Sequence, residues 1–332
     1  MKRVFLLALI LLLSSCALPF SQEASEEVVV EKNVFTDLPG KSGPLLAVKF
    51  DDTPYAHPQE GVEFADVLFV TQVEAGLTRL MGIYSSQYPE RLGPIRSARI
   101  SDIDILAQFG RVGFIYSGAQ GKLRPVLAAA NLENLSAERN PPSIYFNIPE
   151  RNAPYAMMVK PNLLLAKEPD IDQAQSVGWE HGPKDASARK ISSAKIFWPN
   201  ASYEAMWSKT EKRFLLNHDN KPNIATSGVH LGSSMMIIQL VSIKPSEYGD
   251  KFGGVTPKST VTGSGKAYLL RNGSMTEVSW SRPRAEDPTT WTLPDGTEAY
   301  FQAGQVWFFL TDQEPEFTFP LKKSEKQSDS RN

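Results

Sequence analysis

Five arginines, Arg79, Arg91, Arg96, Arg99 and Arg111, fall within one short region of this 332-residue chain. Their planar guanidinium forks suit bidentate capture of a carboxylate or phosphate. Three of them, Arg79, Arg96 and Arg99, sit in two glycine-flanked runs, Glu74-Ala75-Gly76-Leu77-Thr78-Arg79 and Gly93-Pro94-Ile95-Arg96-Ser97-Ala98-Arg99, and are the candidate anion-binding residues. Gly93-Pro94 imposes a turn, and a helix starting near residues 97–100 would put Arg96 and Arg99 at its N-terminus, where free N–H groups and the dipole favour an anion. Asp102 and Asp104 fit the same dipole as caps. Asp51, Asp66 and Glu74 are the candidate charge partners. Asp51 and Asp66, with Asp52, stand at expected strand ends, where hard oxygen ligands can hold Mg²⁺ against a bound phosphate. Mg²⁺ is the one cofactor these residues suggest. Read singly, each arginine is a structural partner of Glu74, Glu90 or Asp102, contributing about 0–1 kcal/mol if exposed.

Other chemistries have less behind them. Ser117-Gly118 and Gly263-Ser264-Gly265 read as turns and lack the Gly-x-Ser-x-Gly pattern of a nucleophile elbow. The histidines, His57, His181, His218 and His230, are scattered without the close spacing of a helix-borne metal site, so a zinc enzyme is not expected. Cys16 is the single cysteine, which excludes an internal disulfide. A formal net charge of −2 argues against nucleic acid as a partner. Trp280, Trp291 and Trp307, with Tyr268, Tyr300 and Phe301, read as sheet core before sugar-stacking platforms.

The elements that must position these residues are legible as short runs. Residues 45–50, 67–73, 78–84 and 112–116 are apolar and β-branched enough to be strands, while 100–109 and 122–130 have helical period. They predict an α+β or α/β N-terminal domain over residues 42–167, a mixed sheet with flanking helices. Residues 168–195 are polar and form the expected linker. Residues 196–315 predict a β-rich C-terminal domain, whose strands can share sheets with the first half. Strands are expected at 235–243 and 267–270. Type I′ hairpins are expected at Arg271-Asn272-Gly273-Ser274 and Pro294-Asp295-Gly296-Thr297. Residues 316–332 predict a disordered tail.

At the other end, Met1-Lys2-Arg3, an uncharged apolar run and Leu13-Ser14-Ser15-Cys16 describe a secretory signal peptide over residues 1–15. The run resembles a bacterial lipobox. The resemblance implies cleavage before Cys16, diacylation of its thiol and a lipid anchor on the extracytoplasmic face of a cell membrane. Polar residues 16–41 then read as a stalk, with Val28 to Val30 available as an edge strand.

Asp51, Pro54-Tyr55-Ala56-His57-Pro58-Gln59-Glu60-Gly61, Ala65-Asp66-Val67 and the two arginine runs resemble the N-terminal domain of the YerB-like lipoprotein family. Tyr203-Glu204-Ala205-Met206-Trp207, Gly263-Ser264-Gly265-Lys266-Ala267 and Ala303-Gly304-Gln305-Val306-Trp307 are similar to its C-terminal domain. The resemblance covers nearly the whole mature chain and implies kinship with two domains of unknown function. Two positions depart from the family's pattern. Tyr155 stands where the family's Ala-Pro-His-Asn has histidine, and His57 stands where its Arg-Pro-Gln has arginine. A family mechanism needing that imidazole as a base does not carry over.

The chain is thus expected to be an externally facing, lipid-anchored protein that binds an anionic cell-envelope component through Arg79, Arg96 and Arg99. One alternative is a Mg²⁺-dependent phosphoryl or glycopolymer transferase with Asp51 and Asp66 on the metal, loosely similar to LytR-CpsA-Psr enzymes. Another is a structural or assembly protein that docks an envelope protein.

Overall fold

In a β-strand successive side chains point to opposite faces, so a fully apolar strand must be covered on both sides. The strands β1 (Leu46–Asp51), β2 (Val67–Gln72) and β3 (Thr78–Tyr84) are apolar except toward one end, and both faces are covered, with every residue of β1 and β3 buried. They are central in the computed structural model, which describes residues 30–250 and 253–321. The expected signal peptide, Cys16 and the chain beyond residue 321 lie outside the described residues. With β4 (Val112–Ile115) and β5 (Leu132–Asn134) the sheet runs β5, β4, β1, β3, β2. It continues through Val306–Thr311, Met235–Leu240, Gly263–Arg271, Ser274–Arg282 and Thr290–Thr292. The short strand Arg189–Lys190 pairs beside Ser274–Arg282 and completes eleven strands.

The sheet is mixed. β1 pairs antiparallel with β3 and parallel with β4, and β2 lies parallel to Val306–Thr311. Strand therefore dominates, and the helices are short: α1 (Ile100–Leu106), α2 (Arg124–Ala129) and the turn Pro161–Leu165. None of the described helices is long and apolar enough to cross a membrane. The described chain from Glu31 on is one compact unit. Residues before and after the 168–195 segment share the large sheet directly through β2 and Val306–Thr311.

Each face of the sheet builds its own core. Leu46, Val48, Phe50, Leu68, Val70, Leu80, Met236, Ile238, Trp307 and Phe309 face one way. A six-stranded second sheet, ordered Lys221–Pro222, Arg213–His218, Ala201–Ser208, Ser193–Trp198, Glu316–Thr318 with Gly232–Ser233 beside Arg213–His218, covers them. Ala47, Val67, Phe69, Met81, Ile237 and Phe308 face the other way, under α1 and α2.

Several expected boundaries move. The end of the expected stalk is folded: Phe35 is fully buried, edge-on to Phe109 at 5.6 Å, and Asn33 and Thr36 are buried with it. The expected linker is packed too, with Ala174, Val177, Trp179 and Ile191 buried and Trp179 stacked on Phe301 at 4.9 Å. A polar average hid a few apolar anchors in each segment. The first part of the expected tail is folded, because Glu316–Thr318 forms an edge strand against Ser193–Trp198. The Asn272-Gly273 pair has positive φ at both positions, as a type I′ hairpin requires. In Asp295-Gly296 only Gly296 does, and the Asp295 carboxylate accepts the Thr297 N–H instead. Gly263 to Gly265 begins a strand rather than a turn.

Candidate functional site

The same alternation that sorts the cores sorts the charges at one edge of the sheet. On β1, Lys49 and Asp51 continue the face of Ala47, and Asp52, just beyond, continues the face of Phe50. Asp51 pairs in register with Arg79 of β3, which also pairs with Thr71 of β2. One face therefore ends in Lys49, Asp51, Thr71 and Arg79, the other in Asp52 and Thr78. Two polar sites result, back to back.

On the first face, Arg96 Nε lies 2.5 Å from Asp51 Oδ2, and Arg99 Nε lies 2.6 Å from Glu74 Oε1. Arg99 Nη2 donates to Glu74 Oε2 at 2.8 Å, and Thr256 Oγ1 donates to Glu74 from the second half of the chain. Arg79 is 6% exposed. Its Nη1 donates to the Ser97 carbonyl at 3.0 Å, the same oxygen that Arg99 Nη1 reaches at 3.4 Å. Two guanidinium groups thus share one acceptor. Among the described residues the buried Arg79 Nε has no hydrogen-bond partner. Burial first, then the charges of Arg99 and Arg96, push the Arg79 pKa down to about 9, because the pull of Asp51 and Glu74 is weaker. The Glu74 pKa is lowered too, but for a carboxylate that favours the charged form. Burial alone would raise its pKa, but the bonds and charge of Arg99 hold it below the ordinary value.

Below them, fully buried Lys49 donates to Asp102 at 2.6 Å and to Thr71 at 3.2 Å, and burial outweighs Asp102 in lowering its pKa. Arg96 and Arg99 reach the surface, their side chains 21% and 11% exposed. Arg96 lies over the Tyr155 ring at 5.5 Å, and Tyr155 packs against exposed Tyr55 at 5.3 Å. Ser97 and Ser117 close the other side, with their hydroxyls 3.3 Å apart.

The structure thus brings together Arg79, Arg96, Arg99, Asp51 and Glu74. It does not bring in Asp66, which precedes β2 at the opposite end of the strands, roughly 16 Å from the level of Thr71 at about 3.3 Å per residue. Asp66 instead accepts the N–H groups of Ser85 and Ser86 at 2.6 and 2.9 Å, and burial raises its pKa against those bonds. Asp51 and Asp66 therefore cannot share a Mg²⁺ ion in this fold. The helix dipole drops out as well, since α1 has seven residues and the Asp102 carboxylate takes the Arg99 N–H at 2.7 Å. Asp104 pairs with Lys258 at 2.8 Å. Arg91 and Arg111 are structural, paired with Glu60 and Glu133, each at 2.8 Å.

On the second face, Asp52 is 1% exposed and accepts from Thr78 Oγ1 at 2.6 Å, Tyr203 OH at 2.8 Å and Gln59 Nε2 at 3.2 Å. His57 Nε2 and His218 Nε2 approach its two oxygens at 3.2 and 3.7 Å. Burial opposes ionisation of Asp52, yet the charge of His218 and the bond from His57 hold it well below the usual carboxylate range. Burial also opposes a charged His57, and the Asp52 contact outweighs it, raising that imidazole's pKa. Tyr203 and His218 are register partners on neighbouring strands of the second sheet. Apart from the closeness of Asp52 and His57, no sequence spacing announced this grouping.

Two family descriptions match the chain: Protein of unknown function (DUF3048) N-terminal domain over residues 35–174, and Protein of unknown function (DUF3048) C-terminal domain over residues 194–308. The chain is 36% identical over 73 residues to "Putative lipoprotein YerB" of Bacillus subtilis (strain 168), a stretch covering 22% of this chain and 22% of that protein. The matched stretch thus spans about a fifth of that relative's length. The crystal structure of the YerB protein from Bacillus subtilis superposes with a TM-score of 0.73 at 18% identity, covering 86% of this chain and 99% of that one. At that identity the likeness establishes the fold.

Proposed function

This chain belongs to the DUF3048 family, and from that premise we propose that it is a lipid-anchored protein that binds an anionic cell-envelope component through Arg79, Arg96 and Arg99. The observation that carries the reading is Arg79. A buried guanidinium with an unpartnered Nε, held in the field of two others, is an arrangement that a bound anion relieves. Arg96 and Arg99 reach the surface beside it, each held in place by a carboxylate, so the donors are pre-positioned and little ordering cost falls on binding. Tyr55 and Tyr155 add an aromatic shelf beside the cationic rim. Cys16 carries the acyl anchor in this reading and places the site on the outer face of the membrane. The name of the Bacillus subtilis relative, a lipoprotein by its description, supports the lipid anchor.

The transferase alternative loses its metal pair, because Asp66 is at the wrong end of the sheet, so binding is the better reading. The test is thermal stabilisation by pyrophosphate and glycerol phosphate, with and without Mg²⁺, in the wild type and in an Arg96→Ala, Arg99→Ala variant. A saturable shift, about 2.7 kcal/mol at a hundred times the dissociation constant, should appear without Mg²⁺ and vanish in the variant. The absence of any shift in the wild type would refute the reading.

A further inference from the structure

Asp52, His57 and His218 offer one carboxylate oxygen and two imidazole nitrogens, all within 4.8 Å of one another. We propose that these three residues form a binding site for a divalent transition-metal ion, of which Zn²⁺ is the type, independent of the arginine site on the other face.

The geometry supports this in four ways. Metal bonds of about 2.0–2.2 Å at tetrahedral angles put neighbouring donor atoms roughly 3.3–3.6 Å apart. His57 Nε2 lies 3.2 Å from Asp52 Oδ1 and His218 Nε2 3.7 Å from Oδ2, and one carboxylate oxygen and the two nitrogens fall within 4.8 Å of one another, close enough for a small adjustment to reach that spacing. His218 is 6% exposed, and among the described residues its Nε2 has no hydrogen-bond partner although it is aimed at Asp52. A buried ring nitrogen left unpaired is costly unless something fills the space in front of it.

The surrounding residues are also those of a metal centre. Ligating histidines typically give their other nitrogen to a fixed acceptor, and ligating carboxylates are themselves hydrogen-bonded. His57 Nδ1 lies 3.2 Å from Asn223 Oδ1, a contact that orients the ring and turns Nε2 toward Asp52, whose carboxylate and carbonyl it meets at 3.2 and 3.4 Å. Asp52 is held by Thr78, Tyr203 and Gln59, three neutral donors that fix it without cancelling its charge. The His57 and His218 rings stack at 4.7 Å, which holds the two imidazoles beside each other at Asp52.

Finally, the site opens outward. A cavity of about 380 Å³, lined by His57, His218, Asp219, Lys221 and Asn223 among others, meets the two imidazoles. Three protein ligands with an open side leave a coordination position for water or a small anionic ligand. Two nitrogens and one oxygen select Zn²⁺ or a neighbouring first-row ion over Mg²⁺ or Ca²⁺, which take oxygen.

The test is titration of the full chain, held in detergent and stripped with a chelator, with Co²⁺ followed by Zn²⁺. One equivalent of Co²⁺ should give visible d–d absorption that Zn²⁺ abolishes, and Zn²⁺ should raise the melting temperature. His57→Ala, on the partly exposed side, should remove both signals while the circular dichroism is kept. Asn223→Ala should weaken binding by about 10- to 100-fold. His230→Ala, whose ring bonds the Leu216 carbonyl at 2.8 Å away from the cluster, should change nothing. No saturable absorption in the wild type, or binding that survives in both His57→Ala and His218→Ala, would overturn the proposal. In that event Asp52 with the two histidines is a buried ion-pair network.

Discussion

At the scale of single residues the two sites are built from neighbours in sequence that point apart. Asp51 serves Arg96 while Asp52 serves His57 and His218, and on the adjacent strand Arg79 and Thr78 divide in the same way. The arginine site was legible in the sequence because Arg96 and Arg99 are close neighbours and Glu74 and Arg79 flank a single turn. The histidine site was not, since Asn223 is 166 positions from His57 and only folding brings them together. Asp52 and His57, five positions apart, were the one local hint. Glu74 yields a pH prediction. Its folded pKa lies below the ordinary 4.5, so the stabilisation from its ionised form is full above the unfolded value and is lost as pH falls through the folded one. Glu74→Gln should cost about 1–3 kcal/mol at pH 7 and flatten the acid limb of stability, measured by urea unfolding from pH 7 to pH 3. An unchanged acid limb would mean that Glu74 is not the partner of Arg99.

Among the elements, strands with mostly apolar, β-branched runs were readable almost to the residue. β3 occupies residues 78–84 as expected, and β2 ends one residue early, at Gln72. Segments whose burial rests on one or two side chains were not readable. Residues 31–41 look like a stalk by composition, yet Phe35 sits among Phe109 and Trp179. Phe35→Ala should therefore cost about 3–5 kcal/mol, measured by chemical denaturation. A stalk residue would give a change near zero. Lys49 is the other element-level liability, since it pairs with Asp102 under the first turn of α1 with both side chains fully buried. Lys49→Met leaves Asp102 without its cation and should destabilise by about 3–5 kcal/mol, with loss of near-UV signal at lower denaturant than in the wild type.

For the molecule as a whole, composition suggested a polar junction near residue 180, and hydrogen bonding crosses that junction. β2 pairs with Val306–Thr311, and the second sheet sends Tyr203 and His218 to Asp52. Such pairing between distant parts of the chain predicts one cooperative unfolding transition, with tryptophan fluorescence and far-UV circular dichroism coincident in urea. Two separated transitions would show that the halves are independent. The shared edge also explains how this chain carries two polar clusters of different composition: each face of a single sheet ends in its own. The most direct check on the central claim is to locate a heavy oxyanion, tungstate, by anomalous scattering in crystals of the protein. The account predicts a peak within hydrogen-bonding distance of Arg79, Arg96 and Arg99. It is contradicted if the crystals bind tungstate only elsewhere, or if Arg79 keeps its present contacts beside an empty surface.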